Sequence, residues 1–235
     1  LPGMAQTEKL TDYVNPFVGT DGYGNVYPGA QIPFGGIQIS PDTDSRFYDA
    51  ASGYKYNHLT LMGFSLTHLS GTGIPDLGDF LFIPGTGEMK LEPGTHEDPD
   101  QGYRSRYSHD KEWASPNYYA VELADYGVKA EMTSGVRSGM FRFTYPESDN
   151  AFIMIDMNHT LWQSCEWSNL RMINDSTITG YKLVKGWGPE RHVYFTATFS
   201  KKLTGLRFVQ DKKPVIYNTS RFRSSYEAWG KNLMA

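Results

Sequence analysis

The stretch from residue 119 to residue 145 reads YAVELADYGVKAEMTSGVRSGMFRFTY. Within it, apolar and polar side chains alternate over residues 119–123, 128–133 and 141–145, and glycines fall between these segments. Alternation with a period of two is typical of strands that bury one face, and glycine-rich breaks are typical of the turns that join them. The stretch therefore predicts three strands of an antiparallel sheet.

Other parts of the chain extend this pattern. No segment shows a sustained 3.6-residue apolar period, so long helices are not expected. The polar, proline-containing residues 85–116 predict a long excursion. Further strands are predicted at 37–39, 61–69, 79–84, 151–155 and 193–199. Many short strands with frequent turn signals predict an all-β fold, an antiparallel β-sandwich with long loops and few short helices.

The composition excludes several classes of protein. The chain has 235 residues, a net charge of −4 and 39% hydrophobic residues, so it can bury a core and carries no excess of positive charge for a nucleic-acid backbone. No apolar run approaches the ~20 residues that span a bilayer. The 14% aromatic content, with 24 glycines and 13 prolines, fits a β-rich, loop-rich protein.

The single cysteine and the amino terminus carry little functional signal. Cys165 has no partner for an intrachain disulfide, and we expect a small buried hydrophobe there. Residues 1–5 lack the basic and apolar regions of a signal peptide. Residues 1–9 are interpreted as a tail with a processed or engineered terminus, and residues 10–235 as one domain.

A glycine-rich segment, Asp21-Gly22-Tyr23-Gly24-Asn25, is the first candidate site. It lacks the Lys-Ser/Thr of a P-loop and the strand-loop-helix context of a dinucleotide fingerprint. Two interpretations stay open: a purely structural turn, or a tight surface loop whose backbone closely approaches a ligand or another segment.

His68 is the second candidate, because it ends a predicted strand in a run of hydroxyl and glycine residues. Such positions often carry a ligand-contacting histidine, although a structural role is the alternative. The pairs Asp42/Asp44 and Asp76/Asp79 lack the ligand count of a calcium loop, so turn capping is expected for each.

The tryptophans are a further candidate set. Their rings could stack on sugars, but packing inside or between elements is expected for most of them. They are Trp113, Trp162, Trp167, Trp187 and Trp229.

Six motifs in a fixed order carry a family resemblance over about seventy residues. The sequence resembles the N-terminal domain of glycoside hydrolase family 92, the calcium-dependent exo-acting α-mannosidases. A later segment, residues 132–146, is similar to another part of that domain. The motifs are residues 13–20 (YVNPFVGT), 27–35 (YPGAQIPFG), 38–43 (QISPDT), 52–56 (SGYKY), 63–73 (GFSLTHLSGTG) and 78–79 (GD).

The resemblance implies a supersandwich of the galactose-mutarotase type, packed on a helical (α/α)6 domain. In the family that helical domain holds the catalytic acid, the catalytic base and the Ca²⁺ ligands. The resemblance therefore implies no catalytic and no metal-binding residue in this chain, which by itself is expected to be inactive. The expected parent is an inverting exo-α-mannosidase that acts on mannose-containing glycans in a periplasm or outside the cell.

For the N-terminal domain the resemblance implies a part in the substrate pocket. Gly22, Gly24 and Asn25 would approach the terminal mannose, Phe47 and Tyr48 would border the leaving sugar, and His68 would lie at the interface or behind the pocket. The family's α-1,2-selective members carry Trp-Asp-Gly-Cys before Ser-Gly-Tyr. The parent is expected to resemble an α-1,2-mannosidase, but this chain departs from the selective members at residues 47–51, which counts against α-1,2 selectivity.

Two alternatives to a domain that forms part of a substrate pocket remain open. The chain could be a stand-alone carbohydrate-binding module without catalysis, which would bind mannobiose in isolation. It could also serve mainly as a scaffold for the helical domain, which would leave a large apolar face exposed.

Overall fold

The computed structural model describes residues 8–45, 50–215 and 227–235. Within these ranges strands dominate, and the helical segments are single 3-10 turns at Leu10–Tyr13, Pro99–Gln101 and His109–Lys111. The all-β prediction is confirmed. No helix in the described part of the chain has the length and apolar character needed to cross a bilayer.

The described residues form seventeen strands, which are numbered in chain order. They are β1 (Ser40–Asp42), β2 (Thr60–Leu61), β3 (Gly63–Ser65), β4 (Leu81–Thr86), β5 (Ser105–Arg106), β6 (Glu112–Ser115), β7 (Tyr118–Leu123), β8 (Val128–Ser134), β9 (Gly139–Thr144), β10 (Ala151–Asp156), β11 (Ser164–Asn174), β12 (Thr177–Lys185), β13 (Arg191–Thr198), β14 (Val209–Gln210), β15 (Lys213–Pro214), β16 (Glu227–Gly230) and β17 (Leu233–Met234).

Three larger sheets and one short pair form from these strands. The central sheet has the order β1-β3-β4-β10-β17-β14-β15. The first four-stranded sheet has the order β6-β7-β8-β9, and the second has the order β13-β12-β11-β16. All their pairings are antiparallel, and β2 pairs separately with β5. The antiparallel prediction is therefore confirmed.

The first four-stranded sheet packs on one part of the central sheet. Its alternating apolar residues Val121, Ala130 and Met132 share a buried cluster with Ile39 and Phe64. The alternation that predicted these strands is thus the alternation between core and solvent.

The second four-stranded sheet packs beside the first. Leu170 and Ile178 share a cluster with Phe80, Phe82 and Ile155. Phe64 and Phe82 are directly opposed in register across β3 and β4, so both four-stranded sheets cover the same face of the central sheet.

The excursion after β4 covers the other face of the central sheet. Leu81 and Ile83 point away from Phe82 and pack with Met154 and with Tyr103 of the excursion. Apart from short strands and 3-10 turns, this region lacks regular structure, as predicted.

Two of the longest strands, β11 and β12, were not predicted. On the inner face of β12, Gly180 and Lys182 interrupt the apolar series, while Thr179 and Tyr181 alternate with them. The apolar period is therefore broken, although the backbone pairs along its full length with β11 and β13. The predicted strand 61–69 is also shorter, since β3 ends at Ser65.

Candidate functional site

Four loop segments meet at one end of the molecule. The backbone N–H of Gly71 donates to the Asn25 carbonyl oxygen at 2.6 Å. The Gln163 side chain donates to the Pro75 carbonyl at 2.8 Å. The Trp187 backbone N–H donates to Asp76 Oδ2 at 3.0 Å. Residues 70–79 therefore lie between the glycine-rich loop and the loops that bear Trp162 and Trp187.

The glycine-rich loop has a conformation that demands glycine. Gly22 has a φ of 60°, and a Cβ added to Gly24 would lie 2.1 Å from the carbonyl oxygen of Gly19. The buried Lys55 donates a hydrogen bond from Nζ to the Gly22 carbonyl oxygen, which anchors the loop to the protein interior. The loop thus holds its backbone tightly, as expected from its sequence.

Asn25 ends this loop in the left-handed region, at φ 51°. Its Nδ2 donates to the Tyr23 carbonyl at 3.1 Å, while its Oδ1 is buried without a hydrogen-bond partner among the described residues. An unsatisfied buried acceptor is costly, and this oxygen has no surface open to solvent in the structure. The Tyr23 side chain of the same loop is 94% exposed.

A hollow of about 410 Å³ lies against the same loop. Phe17, Gly19, Thr20, Asp21 and Tyr56 line it together with neighbouring residues. The Tyr56 N–H donates to the Thr20 carbonyl oxygen at 2.9 Å. This hydrogen bond joins the two segments that line the hollow, residues 15–21 and the segment around Tyr56.

His68 lies behind the loops. It is 3% exposed, its ring is 5.1 Å from that of Tyr27, and Nδ1 is 2.6 Å from the Gln38 carbonyl oxygen. A carbonyl only accepts, so Nδ1 carries a proton. Nε2 is 2.8 Å from Asp42 Oδ1. Both ring nitrogens of His68 thus have partners within the protein. This geometry suits a residue that positions the loops in front of it.

Asp42 joins two histidines in the interior. Its Oδ2 lies 2.7 Å from His159 Nε2, while Oδ1 faces His68. Burial alone would raise the pKa of Asp42, but the charge and hydrogen bonds of His68 and His159 outweigh burial and lower this pKa. Asp42 is therefore an ionised core residue, and the expectation that it caps a turn is wrong.

A second buried ionic group lies next to the first. Lys182 Nζ is 3.1 Å from Asp79 Oδ1 and donates to the His159 carbonyl at 2.6 Å. Arg191 pairs with the other oxygen of Asp79. Burial would raise the pKa of Asp79, but Lys182 and then Arg191 outweigh it and lower this pKa. Ionic contacts and one hydrogen bond therefore run beneath the loop end from β1 to β13. We call the side chains that make them the ionic floor: Asp42, His68, His159, Lys182, Asp79 and Arg191.

Asp76 does act as a cap, as predicted. Its carboxylate accepts from the backbone N–H groups of Leu77 at 2.6 Å and Trp187 at 3.0 Å. A Cβ at Gly186 would lie 2.8 Å from Asp76 Oδ1, so the loop before Trp187 closes directly over this carboxylate. Asp76 thereby fixes the position of that loop.

The tryptophans depart from the expectation that most of them pack inside the protein. All five are substantially exposed, and Trp162 also has a φ of 67°. A bulky residue in the left-handed region is an outlier of the kind that clusters at functional sites. The exposed fractions are 44% for Trp113, 53% for Trp162, 39% for Trp167, 62% for Trp187 and 50% for Trp229.

The described residues do not form a metal site. No three His, Cys, Asp or Glu side chains converge within ranges 8–45, 50–215 and 227–235. Cys165 is buried and free, as predicted, and burial raises the pKa of its thiol.

The structure brings Gly22, Gly24 and Asn25 together at the loop end and places His68 behind it. Their contact with a substrate stays a prediction. Phe47 and Tyr48 lie outside the described residues.

Sequence reasoning missed the ionic floor, above all Lys182 and His159. A lysine on the inward face of a strand is a signal in principle, but it is readable only once β12 is recognised as a strand. His159 meets Asp42 across 117 residues of chain, and no local pattern encodes such a contact.

Solved structures define the class of this fold. The chain is similar to a structure described as the GH92 family glycosyl hydrolase ccman5, with 25% identity and a TM-score of 0.76, over 95% of this chain and 30% of that one. The Family GH92 inverting mannosidase BT2199 from Bacteroides thetaiotaomicron shares the fold, with 22% identity and a TM-score of 0.74, over 97% of this chain and 29% of its own. The fold is that of a domain in large glycoside hydrolases.

Sequence comparison assigns the family. A protein of Arthroderma benhamiae described as an uncharacterized secreted glycosidase is 30% identical over 139 residues, which are 58% of this chain and 17% of that protein. The profile of the glycosyl hydrolase family 92 N-terminal domain matches residues 13–233. The chain belongs to this family, and it spans less than a third of the length of the relatives it matches.

Proposed function

We propose that this domain forms one wall of the substrate pocket of an inverting exo-α-mannosidase that acts on mannose-containing glycans. The observation that carries the proposal is the loop end. There a glycine-fixed backbone carries the exposed Tyr23 ring, and Asn25 hydrogen-bonds to the Tyr23 carbonyl oxygen. Donors and acceptors beside an aromatic ring suit a hexose, which presents hydroxyl groups at its rim and C–H groups on its faces.

We place the catalytic acid and base on a second domain of the same protein. Inverting hydrolysis needs a general acid for the leaving oxygen and a base that activates water on the opposite face of the sugar. The buried carboxylates Asp42, Asp76 and Asp79 are each engaged by cations or backbone N–H groups. Burial raises the pKa of Asp156, but its oxygens accept from Tyr103 and the Asn158 N–H inside the core.

Exposed apolar side chains near the loop end support the second domain. Val18, which lines the hollow, is 72% exposed, and Tyr23 of the glycine-rich loop is 94% exposed. Soluble proteins seldom leave large apolar groups grouped at the surface unless another surface covers them. The proposed partner is the helical (α/α)6 domain, which would cover these residues and close the pocket from the opposite side.

Calcium belongs to the same proposal. The described residues do not fit a Ca²⁺ site, since no three carboxylate or histidine side chains converge among them. The ion would therefore be held by residues of the second domain, where it would bind sugar hydroxyls and favour ring distortion. The similarity to a secreted glycosidase supports a periplasmic or extracellular location.

The test compares the 235-residue chain with the full-length protein that carries it. The full-length protein is expected to release mannose from an α-mannoside as the β-anomer, detected by proton NMR in the first minutes. Removal of calcium with a chelator is expected to stop release, and re-addition to restore it. The chain alone is expected to release none, and release by the chain alone would contradict the division of labour.

A carbohydrate-binding module without catalysis is the second candidate, favoured by the five exposed tryptophans. Calorimetry with mannobiose separates the two functions. Half of a pocket should bind this disaccharide too weakly to detect, whereas a module should bind it at micromolar concentrations.

A further inference from the structure

The outer face of the second four-stranded sheet carries a row of aromatic side chains. Tyr194, Tyr181, Asn169 and Trp229 are consecutive register partners across β13, β12, β11 and β16. Tyr194 is 70% exposed and Trp229 is 50% exposed. Since neighbouring strands lie ~4.8 Å apart, the row is roughly 14 Å long.

Two further rings widen this row. Trp167 lies two residues before Asn169 on the same strand face, and its ring centroid is 5.6 Å from that of Tyr181. Tyr181 is 4.7 Å from Tyr194 and 5.8 Å from His192. We call Trp167, Asn169, Tyr181, His192, Tyr194 and Trp229 the aromatic face.

Polar groups are interleaved with these rings. The Tyr181 hydroxyl is 2.7 Å from His192 Nδ1, and His192 Nε2 is 2.7 Å from Glu190 Oε1. Asn169 Nδ2 donates to Glu227 Oε1 at 2.9 Å. The aromatic face therefore offers flat apolar rings together with oriented hydrogen-bonding groups.

The aromatic face continues from the loop end. Trp162 lies two residues before β11, and Trp187 lies in the connection between β12 and β13. Trp167 and His192 lie close to these strand ends, whereas Tyr181, Tyr194 and Trp229 follow further along the sheet. Exposed aromatic groups thus extend from the proposed pocket onto the sheet.

We propose that the aromatic face binds hexose units of the glycan substrate beyond those in the pocket. This inference rests on the proposed function, since it places the remainder of a mannose-containing chain on a surface that begins at the pocket. Rings stacked on the C–H faces of sugars and polar groups at the rim would give moderate affinity for a long, hydroxyl-rich chain.

A protein partner fits this face less well. Cores of protein interfaces are depleted in charged groups. Here Arg171 and Glu227 form the adjacent register pair, and Glu190 hydrogen-bonds within the face. Thr179 and Thr196 occupy the rest of that adjacent row. A surface that mixes rings, hydroxyls and charges in this way suits a hydrated ligand.

The experiment titrates the 235-residue chain with an α-linked mannotetraose and follows its tryptophan indole signals by NMR. The signals of Trp167 and Trp229 are expected to shift saturably. The variant Trp229→Ala should weaken binding by about tenfold, the usual size for loss of a central aromatic contact. The matched control is Trp113→Ala, which removes a tryptophan of similar exposure, 44% against 50% for Trp229, from the first four-stranded sheet and should leave binding unchanged.

Several results would overturn the inference. These are a titration in which Trp167 and Trp229 do not respond, and equal weakening by Trp113→Ala and Trp229→Ala. Signals that shift with protein concentration in the absence of sugar would assign the face to a second copy of the chain. Equal binding of a β-linked glucotetraose would reject the assignment to the mannoside substrate.

The same experiment is separable from the proposed function. If the full-length protein releases mannose but the aromatic face ignores mannotetraose, only the present inference fails. If the face binds mannotetraose through Trp229 but the full-length protein releases no mannose, the proposed mannosidase activity fails and the sugar site stands.

Discussion

The two four-stranded sheets pack on the same face of the central sheet, yet they present different surfaces to solvent. On the first sheet, Trp113, Ala120, Glu131 and Arg142 are consecutive register partners. Arg142 pairs with Glu131 at 2.7 Å, and Lys129 lies 5.6 Å from the Trp113 ring. The outer face of this sheet therefore satisfies its charges internally.

The second sheet places aromatic rings at the corresponding positions and carries a buried ion pair on its inner face. Tyr181 and Tyr194 face solvent, while Lys182 faces inward to Asp79 with no exposed side-chain surface. The first sheet thus resembles an ordinary solvated surface, and the second is built around the loop end. Packing on the same face of the central sheet therefore does not decide which side chains a sheet presents to solvent.

The largest expected effect concerns the buried ion pair of the second sheet. Lys182→Met would leave Asp79 buried with one cation fewer, and the free energy of unfolding should fall by about 3–5 kcal/mol. Urea denaturation measures this loss. The control Lys111→Met breaks the exposed pair with Glu122 on the first sheet and should cost at most about 1 kcal/mol. Similar costs for both variants would show that the two sheets are not differently built.

The next prediction tests how tightly the second sheet packs. A Cβ at Gly180 would lie 2.1 Å from the Phe195 ring, which contacts Phe80 at 4.6 Å between centroids. Gly180→Ala should therefore destabilise the domain by about 1–3 kcal/mol in thermal unfolding. Gly188→Ala is the matched control, since its Cβ meets nothing within 4 Å. Equal melting temperatures would contradict the close approach.

Lowering the pH should reduce the stability of the domain through Glu131 on the outer face of the first sheet. Hydrogen bonds from Arg142 and then Tyr118 lower the pKa of Glu131 from 4.5 to about 2. Because the folded-state pKa is depressed, this stability is present above pH 4.5 and is lost as the pH falls toward 2. Glu131→Gln should flatten the fall in stability across this window, and added salt should do so in part.

The control for acid lies on the outer face of the second sheet. Thr179 cannot titrate, and its register partners Thr196 and Arg171 are not carboxylates, so Thr179→Ala should leave the slope of stability against pH unchanged. A steeper or flatter slope in this variant would mean that the acid response does not come from the charges of the first sheet.

The smallest expected effect concerns the tryptophans on the edge strands of the two sheets, Trp113 on β6 and Trp229 on β16. Trp113→Ala removes the contact with Lys129 and should cost about 0.5–1 kcal/mol. Trp229→Ala should change stability by less than about 0.5 kcal/mol, because surface substitutions rarely do more. Chemical denaturation of both variants checks this. A cost above about 2 kcal/mol for Trp229→Ala would show a packed residue rather than a free binding surface.

Much of the fold was predictable from local pattern. Residues 128–133 lie within β8 because an antiparallel strand that covers a core must alternate. The glycine-rich loop was predictable as a tight turn because Gly24 has no room for a Cβ. The strand β12 was missed because Gly180 and Lys182 replace apolar residues on its inner face for reasons of close packing and ion pairing.

The floor of the site could not be predicted in the same way. His68 and Asp42 are 26 residues apart, and Asp42 and His159 are 117 residues apart. Nothing in the neighbourhood of these residues along the chain specifies their partners. Likewise, the expectation that most tryptophans are packed failed because composition does not reveal which face of a strand is covered.

The sequence by itself determined the all-β class, the antiparallel pairing, the tight glycine-rich loop and, through ordered motifs, the family. These features follow from short-range rules: alternation of side chains along a strand and the steric freedom of glycine. Only the tertiary structure decided that Asp42 meets two histidines, that Lys182 is buried against Asp79, and that aromatic rings of four strands form one outer surface. These contacts depend on strand order and register, which bring distant residues together and leave one face of a sheet to solvent.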